Sequence, residues 1–150
     1  MKPLRTWVLI ADGAKARILE NRGPGDSLIE VDGLEFAADH AATHDLVADR
    51  QDRSFSSHGS GRSAIESRSD PHRELKASFA RHLAVVLARN LSDGRYHRLI
   101  VVAPPATMGD LRDEISGPVR AAIVGEVTRD LTKTPNHEVA AHLKDVLYAI

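Results

Sequence analysis

The stretch Trp7–Glu20, WVLIADGAKARILE, decides how this chain begins to fold. Trp7 to Ala11 is an unbroken apolar run, the pattern of a strand covered on both faces. Asp12-Gly13 follows it, and that dipeptide favours the tight turn of a hairpin because both residues tolerate positive φ. Past the turn, Lys15 and Arg17 alternate with Ala16 and Ile18, which gives the return arm one polar and one apolar face. A hairpin is the expected start of the structure.

Working outward, Gly23-Pro24-Gly25-Asp26 is a second turn, and SLIEVDGLEF (27–36) supplies a third strand that Gly33 bulges or bends. Three strands in this order predict an antiparallel meander. Asp70-Pro71 then reads as a helix cap followed by proline in the first helical position. Leu75, Phe79, Leu83, Val86, Leu87 and Leu91 recur at helical spacing until Asp93-Gly94. LIVVAPP, from Leu99 to Pro105, is a continuous apolar strand of the buried, parallel kind. A short helix is expected from Met108 to Ile115, broken at Gly117-Pro118, then a strand from Val119 to Val127. Thr134-Pro135 caps a last helix whose apolar stripe is Val139, Leu143, Val146, Leu147 and Ile150. The sum is one α/β domain over 1–150, a meander followed by α-β-α-β-α with a polar loop at about 40–70. Right-handed crossovers lay its later strands parallel on the same sheet. This is the element order of ribonuclease H-like folds, a mixed sheet flanked by helices.

Composition bounds the chemistry. A 150-residue chain that is 42% hydrophobic buries a real core, and a net charge of −1 leaves nucleic-acid binding to a local patch. The absence of cysteine removes disulfides, thiolate metal sites and a thiol nucleophile, and fits a cytoplasmic protein. The apolar run Trp7 to Ala11 is too short for an export signal or a membrane span.

Catalytic constellations are sparse. A two-metal nuclease needs clustered carboxylates, and the candidates Asp12, Glu30, Asp32 and Glu74 each have a plainer role in a turn or on a solvent face. His40 and His44, with Asp45, have the i, i+4 spacing of metal ligands but lack a distinct third ligand. His82 and His142 fall on the apolar sides of their helices, as partly buried structural histidines do. Seven serines lie between Ser54 and Ser69, yet none stands in a Gly-x-Ser-x-Gly elbow, and Gly59-Ser60-Gly61 lacks the spacing and lysine of a phosphate loop. No catalytic residue, metal site or cofactor is expected.

The loop offers guanidinium density instead. Arg50, Arg53, Arg62, Arg68 and Arg73 stand against Asp52, Glu66 and Asp70, a local charge of +2 before His58 and His72 are counted. Arginine forks suit phosphate or carboxylate, and serine hydroxyls add hydrogen bonds. Phe55 is the lone aromatic, so base stacking has little support.

Four ordered segments carry a resemblance: WVLIADGAKARILE, DRSFSSHGSGRSAIESRSDPHR, LIVVAPPATMGDLR and EVTRDLTKTPNHEVAAHL. Together they resemble the bacterial family described as proteins required for attachment to host cells, over nearly the whole chain. That family is in turn distantly similar to the middle domain of eukaryotic and archaeal peptide-chain release factors, where a Gly-Gly-Gln loop ahead of a long helix enters the peptidyl-transferase centre. Here His58, Gly59, Ser60, Gly61, Arg62, Ser63 and Ala64 precede the helix, Gly61 matching a loop glycine and Arg62 standing where the glutamine belongs. The resemblance therefore implies docking on ribosomal or transfer RNA without hydrolysis. Its binding residues would be Arg50, Arg53, His58, Gly59, Gly61, Arg62, Ser63, Arg68 and Arg73. A protein-interaction factor contributing to attachment is the alternative reading, and a hydrolase is the third.

Overall fold

The computed structural model describes residues 4–22, 27–38 and 71–149. Asp70, Ile150, the Gly23–Asp26 turn and most of the arginine-rich loop lie outside them. Strands β1 (Thr6–Ala11), β2 (Lys15–Asn21) and β3 (Ile29–Ala37) come first, then helix α1 (Pro71–Ser92), strand β4 (Arg98–Val102), helices α2 (Pro105–Glu114) and α3 (Gly117–Ala122), strand β5 (Ile123–Val127), and helices α4 (Asn136–His142) and α5 (Lys144–Leu147). They form a mixed five-stranded sheet in the order β3-β2-β1-β4-β5. β1 pairs antiparallel with β2, and β2 with β3. β1 runs parallel to β4, and β4 to β5.

The apolar run at Trp7 to Ala11 is central and fully buried because helices cover both faces of β1. Trp7, Leu9 and Ala11 point to one layer, where they meet Phe79, Leu83 and Leu87 of α1, Met108 and Leu111 of α2, and Val119 of α3. Val8 and Ile10 point to the other layer, against Val139 of α4, Leu143 and Leu147 of α5. β1, β2 and β4 split by residue parity between two cores.

Gly33 has φ +78°, and the β2–β3 register shifts between Arg17 and Leu19, so the expected bulge is present. The Asp12-Gly13 turn closes with Asp12 N–H donating to Lys15 O at 2.9 Å, while Asp12 Oδ1 accepts from the N–H groups of Ala14 and Lys15, each at 2.7 Å. That carboxylate serves the turn.

The chain after α1 departs from expectation in several places. The buried strand ends at Val102, and Pro105 opens α2 rather than ending a strand. Gly117-Pro118 starts a helix instead of breaking one. Ser116 caps it by accepting from Val119 N–H, and proline is tolerated in the first turn because that N–H has no helical partner. The expected strand Val119 to Val127 is therefore α3 to Ala122 and β5 from Ile123. Thr134 is not the last helix's cap. Pro135 holds the capping position without a side-chain hydrogen bond, and the helix divides at Leu143, whose φ −115° and ψ 12° interrupt the turn. His82 and His142 are both exposed. His82 meets Phe36 edge-on with centroids 5.7 Å apart, which explains its place beside apolar neighbours without burial.

Candidate functional site

The carboxyl end of the parallel strands is where ligands bind in open α/β sheets, and here it gathers three connections. β1 leads into Asp12, β4 leads into Pro104, and β5 leads into the loop 128–135. Thr132 of that loop has its hydroxyl between two carboxylates, 3.2 Å from Asp12 Oδ2 and in hydrogen-bond contact with Asp130 Oδ1. The Thr132 hydroxyl, then its N–H, holds the Asp130 carboxyl below the usual range. β1 and the loop after β5 are thereby tied together.

Arg17 is the residue whose importance the alternation of β2 understated. Its guanidinium turns to the second layer and donates to the backbone oxygens of Thr132 at 2.8 Å, Leu131 at 3.4 Å and Thr134, while Nε donates to Asn136 Oδ1 at 2.7 Å. One side chain thus satisfies the carbonyls of a whole turn. Burial disfavours its charge, and Glu35 and Glu30 favour it. A cleft of about 400 Å³ opens beside it, lined by Ile10, Lys15, Phe36 and Thr132 among others. A smaller one, about 270 Å³, follows the β3 bulge past Glu30, Asp32 and Gly33.

Of the expected binding residues, Arg73 alone is described. It lies in the first turn of α1, half exposed, in an ion pair with Asp110 of α2. Arg50, Arg53, His58, Gly59, Gly61, Arg62, Ser63 and Arg68 lie outside the described residues, as do His40, His44 and the serines 54–69. What is described is the frame that holds the segment. Ala38 N–H donates to Ala14 O at 2.6 Å just past the hairpin turn. On the far side, the Lys76 side chain of α1 packs so closely on Gly13 that a Cβ there would meet it at 2.8 Å. Ala38 and Lys76, which flank the segment, thus both meet the turn at the carboxyl end of β1.

The four candidate carboxylates do not converge. Asp12 is engaged in its turn, Glu30 accepts from Asn136 Nδ2, Asp32 is exposed on the bulge and Glu74 is exposed on α1. No group of three or more metal-ligating side chains occurs among the described residues. No described helix is long and apolar enough to cross a membrane.

Fold and site define a single-domain α/β protein with a mixed five-stranded sheet, in which Ala38 and the first turns of α1 stand beside the carboxyl end of β1. Residues 7–143 match the family described as proteins required for attachment to host cells, and the chain belongs to that family. No curated protein matches it.

Proposed function

We propose that this protein is a binding module that docks on ribosomal or transfer RNA through the segment from Arg50 to Arg73 without turning over a substrate. The observation that carries the reading is that the described residues on either side, Ala38 and the first turns of α1, both stand beside the carboxyl end of β1. Five arginines in sequence between Arg50 and Arg73 suit a phosphate-rich partner, and the carboxyl end of such a sheet is where ligands bind. The order β3-β2-β1-β4-β5, its first three strands antiparallel, supports a ribonuclease H-like fold and with it the kinship to release-factor middle domains. A ribosomal partner implies a cytoplasmic location.

Co-sedimentation with ribosomes at low and moderate salt tests the reading. Wild type is expected to pellet at low salt and to release as salt rises, and the Arg62→Ala/Arg68→Ala pair to stay in the supernatant. Binding that ignores both salt and the substitutions sinks it. The family description favours a second reading, a protein-interaction factor in attachment to host cells. Its mark is a protein partner that survives nuclease treatment in a pull-down and is lost with the same arginines.

A further inference from the structure

The opposite, amino end of the sheet carries a second cationic surface. Arg5 precedes β1, Arg22 follows β2, Arg89 lies in the last turn of α1, and Arg95 and Arg98 flank the start of β4. Glu20 and Asp93 are the carboxylates of the same connections among the described residues, and Asp26 also belongs in sequence to the β2–β3 connection. Five arginines thus stand against three acids in these connections, on a chain whose net charge is −1.

Arg22, Arg95 and Arg98 are held from behind. Arg95 lies over the Trp7 ring, 5.5 Å from its centroid, and donates to Asn90 Oδ1 at 2.8 Å. Asn90 in turn donates to Val86 O. Trp7 stacks on Tyr96 at 4.6 Å and donates through Nε1 to Glu20 Oε1 at 3.0 Å, and Glu20 also accepts from Arg22. Arg98 Nε donates to Thr6 Oγ1 at 3.1 Å. His97 Nδ1 accepts from Arg5 N–H at 3.0 Å, and its own N–H returns to Arg5 O. Each of these contacts uses one edge of its side chain. Arg5, Arg22, Arg89, Arg95 and His97 remain exposed.

We infer that this amino end is a phosphate-contacting surface for double-stranded RNA, read through its backbone and not its bases. Guanidinium forks fixed by a rigid backing match phosphate oxygens with little ordering cost. The aromatics that could stack on a base, Trp7 and Tyr96, are 0% and 1% exposed, so nothing there reads sequence. They are equally out of reach of a membrane, which an interfacial site would engage through a continuous apolar face. Leu4 and Ile29 are exposed nearby but on strands two apart in the sheet, and do not make such a face. The inference does not depend on the Arg50–Arg73 reading.

The test is fluorescence anisotropy with a labelled RNA hairpin of arbitrary sequence, titrated over a salt series. The proteins are wild type, Arg5→Gln/Arg98→Gln and Arg62→Ala/Arg68→Ala, with thermal melting of each as the fold control. Arg5 makes no side-chain hydrogen bond that the substitution would break, and Arg98 gives up one, part-buried, to the buried Thr6 hydroxyl. The amino-end pair is expected to weaken binding uniformly across RNA sequences and to reduce the slope of log K against log salt by about one per arginine removed. The loop pair is expected to retain the share of binding that the amino end supplies. A folded Arg5→Gln/Arg98→Gln protein with wild-type affinity and slope overturns the inference. So does wild-type protein that ignores the hairpin yet binds phosphatidylglycerol vesicles through these arginines.

Discussion

The two faces of the sheet are covered in different ways. One carries α1, 22 residues long, with α2 and α3 beside it, and it is closed by side-chain volume around Trp7, Leu83, Leu87 and Tyr96. The other carries α4 and α5, 7 and 4 residues long, too short to bury a comparable stripe. Its smaller apolar cluster, with Val8, Ile10, Val139, Leu143 and Leu147, is closed with Arg17, whose guanidinium ties down the loop ahead of α4, and with a close approach at Gly125, where a Cβ would clash with Val146 Cγ1. Where helices are long, burial fixes their position. Where they are short, a hydrogen-bonded side chain and a missing Cβ do so.

The contrast fails if the first face tolerates truncation. Trp7→Ala is expected to cost about 3–5 kcal/mol, because it empties the stack on Tyr96 and leaves Glu20 with Arg22 alone. Urea denaturation followed by far-UV circular dichroism measures it, and a loss below about 1 kcal/mol would contradict the volume argument. Arg17→Met should cost less globally, about 1.5–3 kcal/mol, since it removes charged donors from backbone carbonyls. Its sharper mark is local: hydrogen exchange accelerates across 131–136 while α1 stays protected. Equal acceleration in both would erase the distinction between the faces.

Gly125→Ala should cost about 1–3 kcal/mol by overpacking, and Val146→Ala in the same chain should return part of it. Strict additivity of the two would mean that α5 does not rest on β5. The smallest effect concerns acid. Burial pushes the Glu20 carboxyl up, but hydrogen bonds from Arg22 and Trp7, with the charges of Arg22 and Arg5, outweigh it and hold the group below its ordinary value. A carboxyl depressed in the folded state stabilises above its unfolded pKa, about 4.3, and loses that stabilisation as pH falls through the folded value. Glu20→Gln should flatten the fall in melting temperature below about pH 4.3 and leave the neutral-pH slope alone.

Local chemistry made the first half of the fold legible. Asp12-Gly13 named the hairpin, Gly33 the bulge, and the spacing of Phe79, Leu83 and Leu87 the helix that buries them. After Pro104 the signals were ambiguous, because proline both ends an element and begins one. Pro105 and Pro118 sit in first turns, and Ser116, the cap that settles the second case, is a common loop residue elsewhere. The stripe Val139, Leu143 and Leu147 was placed correctly in the core, although the backbone beneath it breaks at Leu143. Arg17 and Thr132 escaped notice for a different reason. Their partners lie more than 110 residues away in the chain, and no local pattern encodes them.

That Ala38 and Lys76 both reach the hairpin turn, at Ala14 and Gly13, bears on how this chain folds and varies. The nearest β1–β2 pair, Ala11 and Ala16, is five positions apart in the chain, but Thr6 of β1 and Arg98 of β4 are 92 apart, so the hairpin can form early while the parallel pairing waits on a long closure. Closure entropy grows only with the logarithm of length, about 0.6 kcal/mol for each doubling of a flexible segment. With Ala38 and Lys76 both at that turn, a change in the number of residues between them carries a small closure cost. Diversification can therefore concentrate there while the sheet beneath stays the same.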